Sequence, residues 1–174
     1  MSARFTAVHP PQARGMIFIH SASAALCPHI EWAIGATIGC RAKLSWTGQP
    51  VQPGTRRCEL SWNAPVGSGA MLATKLANFG KLRFEITEEA TARSDGMRYS
   101  YTPALGSFSA VIGVHGDILV GEDRIRRAIA DDALGTKDLA EVLPQLLGKP
   151  WDDELEVFRH ASEDTPVRWL HEVG

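Results

Sequence analysis

The feature that most constrains this chain is the order in which its hydrophobic period changes between Met16 and Glu88. Met16-Ile17-Phe18-Ile19 is apolar on both alternating faces, which predicts a strand covered on both sides or set within a sheet. A helical period follows: Ile30, Ala33, Ile34 and Ile38 share one face with Thr37, whose hydroxyl can bond back one turn. Pro28 suits the first turn of this helix and Gly39 its end. Residues 42–47 and 57–63 then carry one tripeptide twice, Leu44-Ser45-Trp46 and Leu60-Ser61-Trp62, each with Leu and Trp on the same side of a strand. Gly48, Pro50, Pro53 and Gly54 between them predict an antiparallel hairpin with a long, stiff loop. Gly67-Ser68-Gly69 opens a second helix, with Leu72, Leu76 and Phe79 along one side and Gly80 at its end. Leu82, Phe84 and Ile86 alternate with Arg83, Glu85 and Thr87, predicting a half-exposed strand with Glu85 on its solvated face.

Strand, helix, strand, strand, helix, strand is the order of a ferredoxin-like β-α-β-β-α-β core, so an α+β fold with an antiparallel sheet is expected. Extra strands follow, one from the alternation of Met97, Tyr99 and Tyr101 and one over residues 108–114. From Gly121 the period turns helical. Ile125, Ala128 and Ile129 mark a first helix; Thr136 is placed to cap a second, in which Leu139, Val142, Leu143, Leu146 and Leu147 recur around a kinking Pro144. Pro150 starts a third, with Leu155 and Phe158 inward, Asp152, Asp153 and Glu154 in its first turn, and Arg159 and His160 at its end, where they suit the dipole. Residues 167–173, with Trp169, close the chain as a short strand or extended arm. The expected organisation is a flexible arm over 1–14 and one domain over 15–174, sheet-rich to 120 and helical from 121.

Charge narrows the function. Eighteen Lys and Arg against twenty Asp and Glu give −2, without the basic surplus by which a general nucleic-acid binder displaces counterions. Cys27, Cys40 and Cys58 are too few for a secreted disulfide scaffold and predict reduced thiols in a cytoplasmic protein. The apolar run at 16–19 is stopped by His20, short of a secretory core, and no stretch is long enough to span a bilayer.

Three places can carry chemistry. In His20-Ser21-Ala22-Ser23-Ala24-Ala25-Leu26-Cys27-Pro28-His29, Cys27 falls at a helix N-terminus, where the dipole favours a thiolate and His20 or His29 can assist a nucleophile or ligand. Packing of small residues under a sheet explains the same string. His115 and Asp117, in Gly113-Val114-His115-Gly116-Asp117, offer an imidazole and a carboxylate for acid–base work, or simply form a turn. Gly67, Ser68 and Gly69 open a helix whose free N–H groups can receive a phosphate, although the Lys-Ser/Thr of a P-loop and the third glycine of a dinucleotide motif are missing. Neither a metal site nor a cofactor motif is predicted. Trp46, Trp62, Trp151 and Trp169 either stack a ligand or lie in the core.

Several strings taken together resemble an actinobacterial family, domain of unknown function 3145. They are Ile19-His20-Ser21-Ala22, Ala25-Leu26-Cys27-Pro28-His29-Ile30-Glu31-Trp32-Ala33, Leu82-Arg83-Phe84-Glu85-Ile86-Thr87-Glu88-Glu89, Arg98-Tyr99-Ser100-Tyr101-Thr102-Pro103, Gly113-Val114-His115-Gly116-Asp117 and Leu147-Gly148-Lys149-Pro150-Trp151-Asp152-Asp153-Glu154-Leu155. The resemblance runs from about Arg14 to the C-terminus. It implies no particular reaction and no catalytic residue, only a loose association, through neighbouring genes, with acyl-chain or acetyl-unit metabolism. The expectation is a non-catalytic binding or regulatory module that contacts a cytoplasmic protein, such as an enzyme of fatty-acid metabolism. The alternative is a small enzyme, or a metal- or ligand-binding protein, built on His20, Cys27, His29, His115 and Asp117.

Overall fold

The computed structural model describes residues 10–160. Its strands are β1 (Gln12–Ser23), β2 (Thr47–Gly48), β3 (Thr55–Pro65), β4 (Arg83–Glu88), β5 (Gly96–Thr102), β6 (Gly106–Ile112) and β7 (Ile118–Leu119). Its helices are α1 (Cys27–Ile38), α2 (Ser68–Ala77), α3 (Glu122–Ala133), α4 (Leu139–Leu146) and α5 (Lys149–Arg159). All seven strands join one antiparallel sheet in the order β2-β3-β1-β4-β5-β6-β7. The fold is therefore α+β, with β5 to β7 continuing the first sheet and helices following them. β1 begins at Gln12, so residues 12–14 of the expected arm belong to a strand. The extended segment expected at 167–173 lies outside the described residues.

One face of the sheet carries the main core. Ile17 and Ile19 of β1 and Phe84 and Ile86 of β4 pack with Ile30 and Ile34 of α1 and Leu72 and Leu76 of α2. Thr37 bonds back to the Ala33 carbonyl at 2.8 Å, and Gly39, left-handed at φ 77°, closes α1. Trp62 lies across Gly15, where a Cβ would come within 2.4 Å of the indole ring and 2.0 Å of the Thr87 carbonyl oxygen. Only glycine lets the indole settle there.

The expected hairpin is mostly lost. Only Thr47 and Gly48 pair with β3, opposite Arg57 and Arg56, and residues 42–46 form no strand. The cause is Glu31 of α1, whose carboxylate accepts from the Leu44 N–H at 3.2 Å and the Trp46 indole N–H at 3.0 Å. That tie draws the segment toward the helix, and Ala42 and Leu44 are buried in the core with it. Farther on, Asp138 replaces Thr136 as the cap of α4, accepting from the Ala140 N–H at 2.8 Å.

The second face is covered by α5. Trp151 packs against Phe108 with centroids 5.0 Å apart, and its indole N–H donates to the Gly106 carbonyl at 2.9 Å. Leu155 and Phe158 are buried, and the Arg83 guanidinium sits 4.6 Å from the Phe158 ring centroid. Glu85, expected in solvent, is consequently buried beneath this helix at 1% exposure. By contrast, α3 buries only Ala128, and α4 buries no residue fully. No helix among the described residues is long and apolar enough to cross a membrane.

Candidate functional site

The densest polar cluster lies between α5 and strands β1, β4 and β5. Alternation along β4 sends Phe84 and Ile86 to the main core and Glu85 the other way. There one carboxylate oxygen accepts from Arg98 at 2.7 Å and Arg159 at 2.6 Å, and the other from His20 Nε2 at 2.7 Å and Arg159 Nε at 3.0 Å. Asp152, in the first turn of α5, accepts from the Arg159 guanidinium at 2.7 Å and also from Arg98. Asp152, Leu155 and Arg159 therefore occupy one inward face at three- and four-residue steps.

The chain places His20 by a bulge. β1 shifts register against both neighbours just after Ile19, which leaves the His20 carbonyl out of the ladder. The buried amide of Gln49 donates to that carbonyl at 2.7 Å and reaches the Phe158 carbonyl at 3.4 Å. Gln52 extends the network, accepting from Ser21 at 2.6 Å and Arg83 at 3.2 Å, while Arg83 Nε donates to Glu154 at 3.1 Å. The β2–β3 loop, the bulge and α5 are thereby fastened together.

Burial alone would raise the Glu85 carboxyl. Its bonds to His20 and Arg159 and their charges more than reverse this, holding it below the usual carboxylate range. Burial would lower Arg98 and Arg159, and their bonds to Asp152 and Glu85 raise them instead. Perturbed groups of this kind mark either a reactive centre or a structural ion network. Here Glu85 receives four donor contacts, which fill its lone pairs, so no site is left for a substrate proton. The cluster is a clamp for α5.

The other predicted residues do not gather around it. Cys27 begins α1, on the face opposite the His20–Glu85 bond, and its thiol donates to the Ser23 carbonyl at 3.7 Å. Burial, the largest influence, raises the thiol; nearby Arg56 pulls it down and Glu31 adds to the rise. The net direction opposes the thiolate that the helix dipole was expected to favour. His29 is exposed on α1. His115 and Asp117 are exposed in the turn between β6 and β7, which is closed by the Gly113 N–H to Asp117 carbonyl bond at 2.8 Å. β4 and β5 separate β1 from β6, so His115 lies roughly 14 Å or more from His20 at ordinary strand spacing.

The helix start at Gly67, Ser68 and Gly69 already holds an anion, but it is the protein's own. Glu88 accepts from the Gly67 and Gly69 N–H groups, both at 2.7 Å. A Cβ on Gly69 would stand 2.8 Å from that carboxylate, so the glycine that suggested a phosphate makes room for Glu88. Ser68 turns its hydroxyl to the Pro65 carbonyl at 2.6 Å. Among the described residues the predicted tryptophans do not form a stacking surface: Trp62 is buried and Trp46 and Trp151 are half-buried, while Trp169 lies outside the described residues; the exposed one is Trp32, on α1. Among the described residues no His, Cys, Asp and Glu side chains group as a metal site.

Exposed apolar side chains occur along the chain, among them Trp32, Met71, Val114 and Leu119, and five fall on α3, α4 and the residues that follow each helix. Ile129 is 53% exposed and Leu134 76%; Ile125, Leu143 and Leu147 are also exposed. A hollow of about 580 Å³ separates α3 from α4, lined by Ala128, Val142 and Leu146 and by the charged Arg127, Asp131 and Glu141. Neither this hollow nor the one beside Gln49 and Arg56 is lined by His20, Cys27, His29, His115 or Asp117.

Fold and site together define an α+β domain with helices on both faces of one antiparallel sheet, a buried ion clamp and an open helical hairpin. Residues 16–172 match the model of a family described as protein of unknown function (DUF3145), and the chain belongs to that family. No curated protein and no solved structure matches it.

Proposed function

We propose that this protein is a non-catalytic binding or regulatory module whose contact surface is the α3–α4 hairpin. The observation that carries the reading is the exposed apolar side chains this pair of helices leaves uncovered, Ile125 and Ile129 one turn apart on α3, Leu143 on α4 and Leu147 at its C-cap. The occupant we infer is an amphipathic helix of a cytoplasmic protein, its apolar face laid against Ile125, Ile129, Leu143 and Leu147. Charges of both signs line the neighbouring hollow between α3 and α4, including Arg124, Arg127, Asp131 and Glu141, as suits a helix with a mixed polar face. The family resemblance supports an enzyme of acyl-chain metabolism as the partner. Placement of His20, Cys27, His29, His115 and Asp117 on different faces and edges weighs against an enzyme or metal protein built from them.

The neighbour order β2-β3-β1-β4, with α1 and α2 on one face, supports reading the core as ferredoxin-like. Its departures are the two-residue β2, the added β5 to β7 and the covered second face.

The test compares the full chain with Ile129→Asp and Leu143→Asp. A partner captured by the wild type and then purified should bind it in calorimetry, and each variant should weaken that binding about 30-fold, as loss of an interface anchor does, with an unchanged melting temperature. Equal binding by wild type and both variants, or clean isolation of the native protein alone, overturns the reading.

A further inference from the structure

We infer that two copies of this chain associate through the outer edge of β3, running antiparallel about Ser61 so that their sheets become continuous. This goes beyond the α3–α4 reading, since β3 and β7 lie toward opposite ends of the strand order. β2 covers β3 only at Arg56 and Arg57. Among the described residues no strand lies on that side from 58 to 65, and no backbone hydrogen bond reaches it.

The phase of the free groups can be read directly. The Thr55 carbonyl accepts from the Gln49 N–H across the outer edge at 3.1 Å, whereas the Val66 N–H donates inward to Pro11 at 2.9 Å. Backbone direction alternates along a strand, so Glu59, Ser61 and Asn63 turn their N–H and C=O groups outward. All three residues are exposed. Proteins usually blunt such an edge with charged side chains, lysine above all, a bulge or an internal proline, and the one charge between 58 and 64 is Glu59. Residues 58–64 contain no lysine or proline and pair with β1 without a register shift; Pro65 comes only at the strand's end.

A two-fold axis at Ser61 sets Ser61 against its copy and Glu59 against Asn63 on both sides. Each facing pair exchanges two backbone bonds, and no like charges meet. A two-residue slip one way brings Glu59 opposite Pro65, which has no N–H; the other way brings Asn63 opposite Arg57, already paired with Thr47. The Ser61-centred register alone engages all three outward residues. On the core side it lays Trp62 against Leu60 and Ala64 against Cys58, covering two side chains that a single chain leaves half-buried.

Sedimentation equilibrium of the full chain tests this. The wild type should be a dimer. Ser61→Pro removes an N–H that no other described residue uses, so the variant should be a folded monomer. Asn63→Glu, which faces Glu59 with a like charge, should weaken the dimer about five-fold, and Asn63→Lys should tighten it. The pair Glu59→Lys with Asn63→Glu should restore wild-type association. A wild type that is monomeric at all concentrations overturns the inference, including one whose edge takes another protein's strand. So does a dimer indifferent to the charge at 63, which decides the matter even if Ser61→Pro fails to fold.

Discussion

On the α1–α2 side of the sheet, Phe84 and Ile86 meet Leu72, Leu76 and Ile34 through apolar contact. On the α5 side Glu85, which lies between those two residues in sequence, meets two guanidiniums and an imidazole. Both faces are closed, by different physics. Apolar contact is non-directional and tolerates exchange of one side chain for another of similar volume. A buried ion network has a desolvation cost that only well-placed partners offset, but it is strict about geometry. Such a network holds α5 in one position, with Trp151 over Phe108 and Phe158 under Arg83. The contrast explains why a helix that begins and ends in charge can cover a sheet.

The sharpest way to break this comparison is to truncate one residue on each face. Glu85→Ala leaves Arg98 and Arg159 without their shared carboxylate and should cost about 4 kcal/mol at neutral pH, measured by urea unfolding. The penalty should depend on acidity. Because the folded carboxyl is held below its ordinary value of 4.5, its contribution is complete above that pH and is withdrawn as pH falls through the lower, folded value. Wild type and variant should therefore converge in acid. A gap that does not narrow as pH falls from 4.5 toward the lower, folded value would show that the carboxylate is not what holds α5.

Leu76→Ala, on the other face, should cost about 3 kcal/mol by leaving a cavity between α2 and the sheet. Its penalty should not vary with pH over the same range. Parallel curves for Leu76→Ala beside converging curves for Glu85→Ala would separate the two kinds of packing in a single experiment.

How legible this was in sequence follows from the same difference. Ile30, Ala33 and Ile34, Leu72 and Leu76, and Leu82, Phe84 and Ile86 all bury as their periods predict, because burial of apolar residues is encoded in local spacing. Glu85 was invisible because alternation says only which side of a strand a residue takes, not what later covers that side. The signal lies some seventy residues on, in the spacing of Asp152, Leu155 and Arg159, whose charges suit the helix dipole equally well and so do not by themselves point to a partner on β4. The hairpin at 42–47 failed for a related reason. Its Leu and Trp share a strand face as readily as they share Glu31, and only the tertiary position of α1 decides between them. The candidate site was least legible of all: His20 was in the proposed loop, but its partners came from β4, β5 and α5.

The smallest expected effect tests the residues left outside both faces. His115 and Asp117 are exposed, and the turn that holds them is fastened by backbone bonds between Gly113 and Asp117 and between Gly116 and Gly113, at 2.8 and 2.9 Å. Removing either side chain takes away no bond on which the turn depends. Gly116, at φ 86°, supplies the conformation that a side chain would resist. His115→Ala and Asp117→Ala should each change unfolding free energy by less than about 0.5 kcal/mol, the range of ordinary surface substitutions. They should also leave partner binding by the α3–α4 hairpin intact. A loss of binding in either variant would move the contact surface toward the β6–β7 turn, at the edge from which the chain leads into α3. It would place the function of this domain at the junction of sheet and hairpin, not on the hairpin alone.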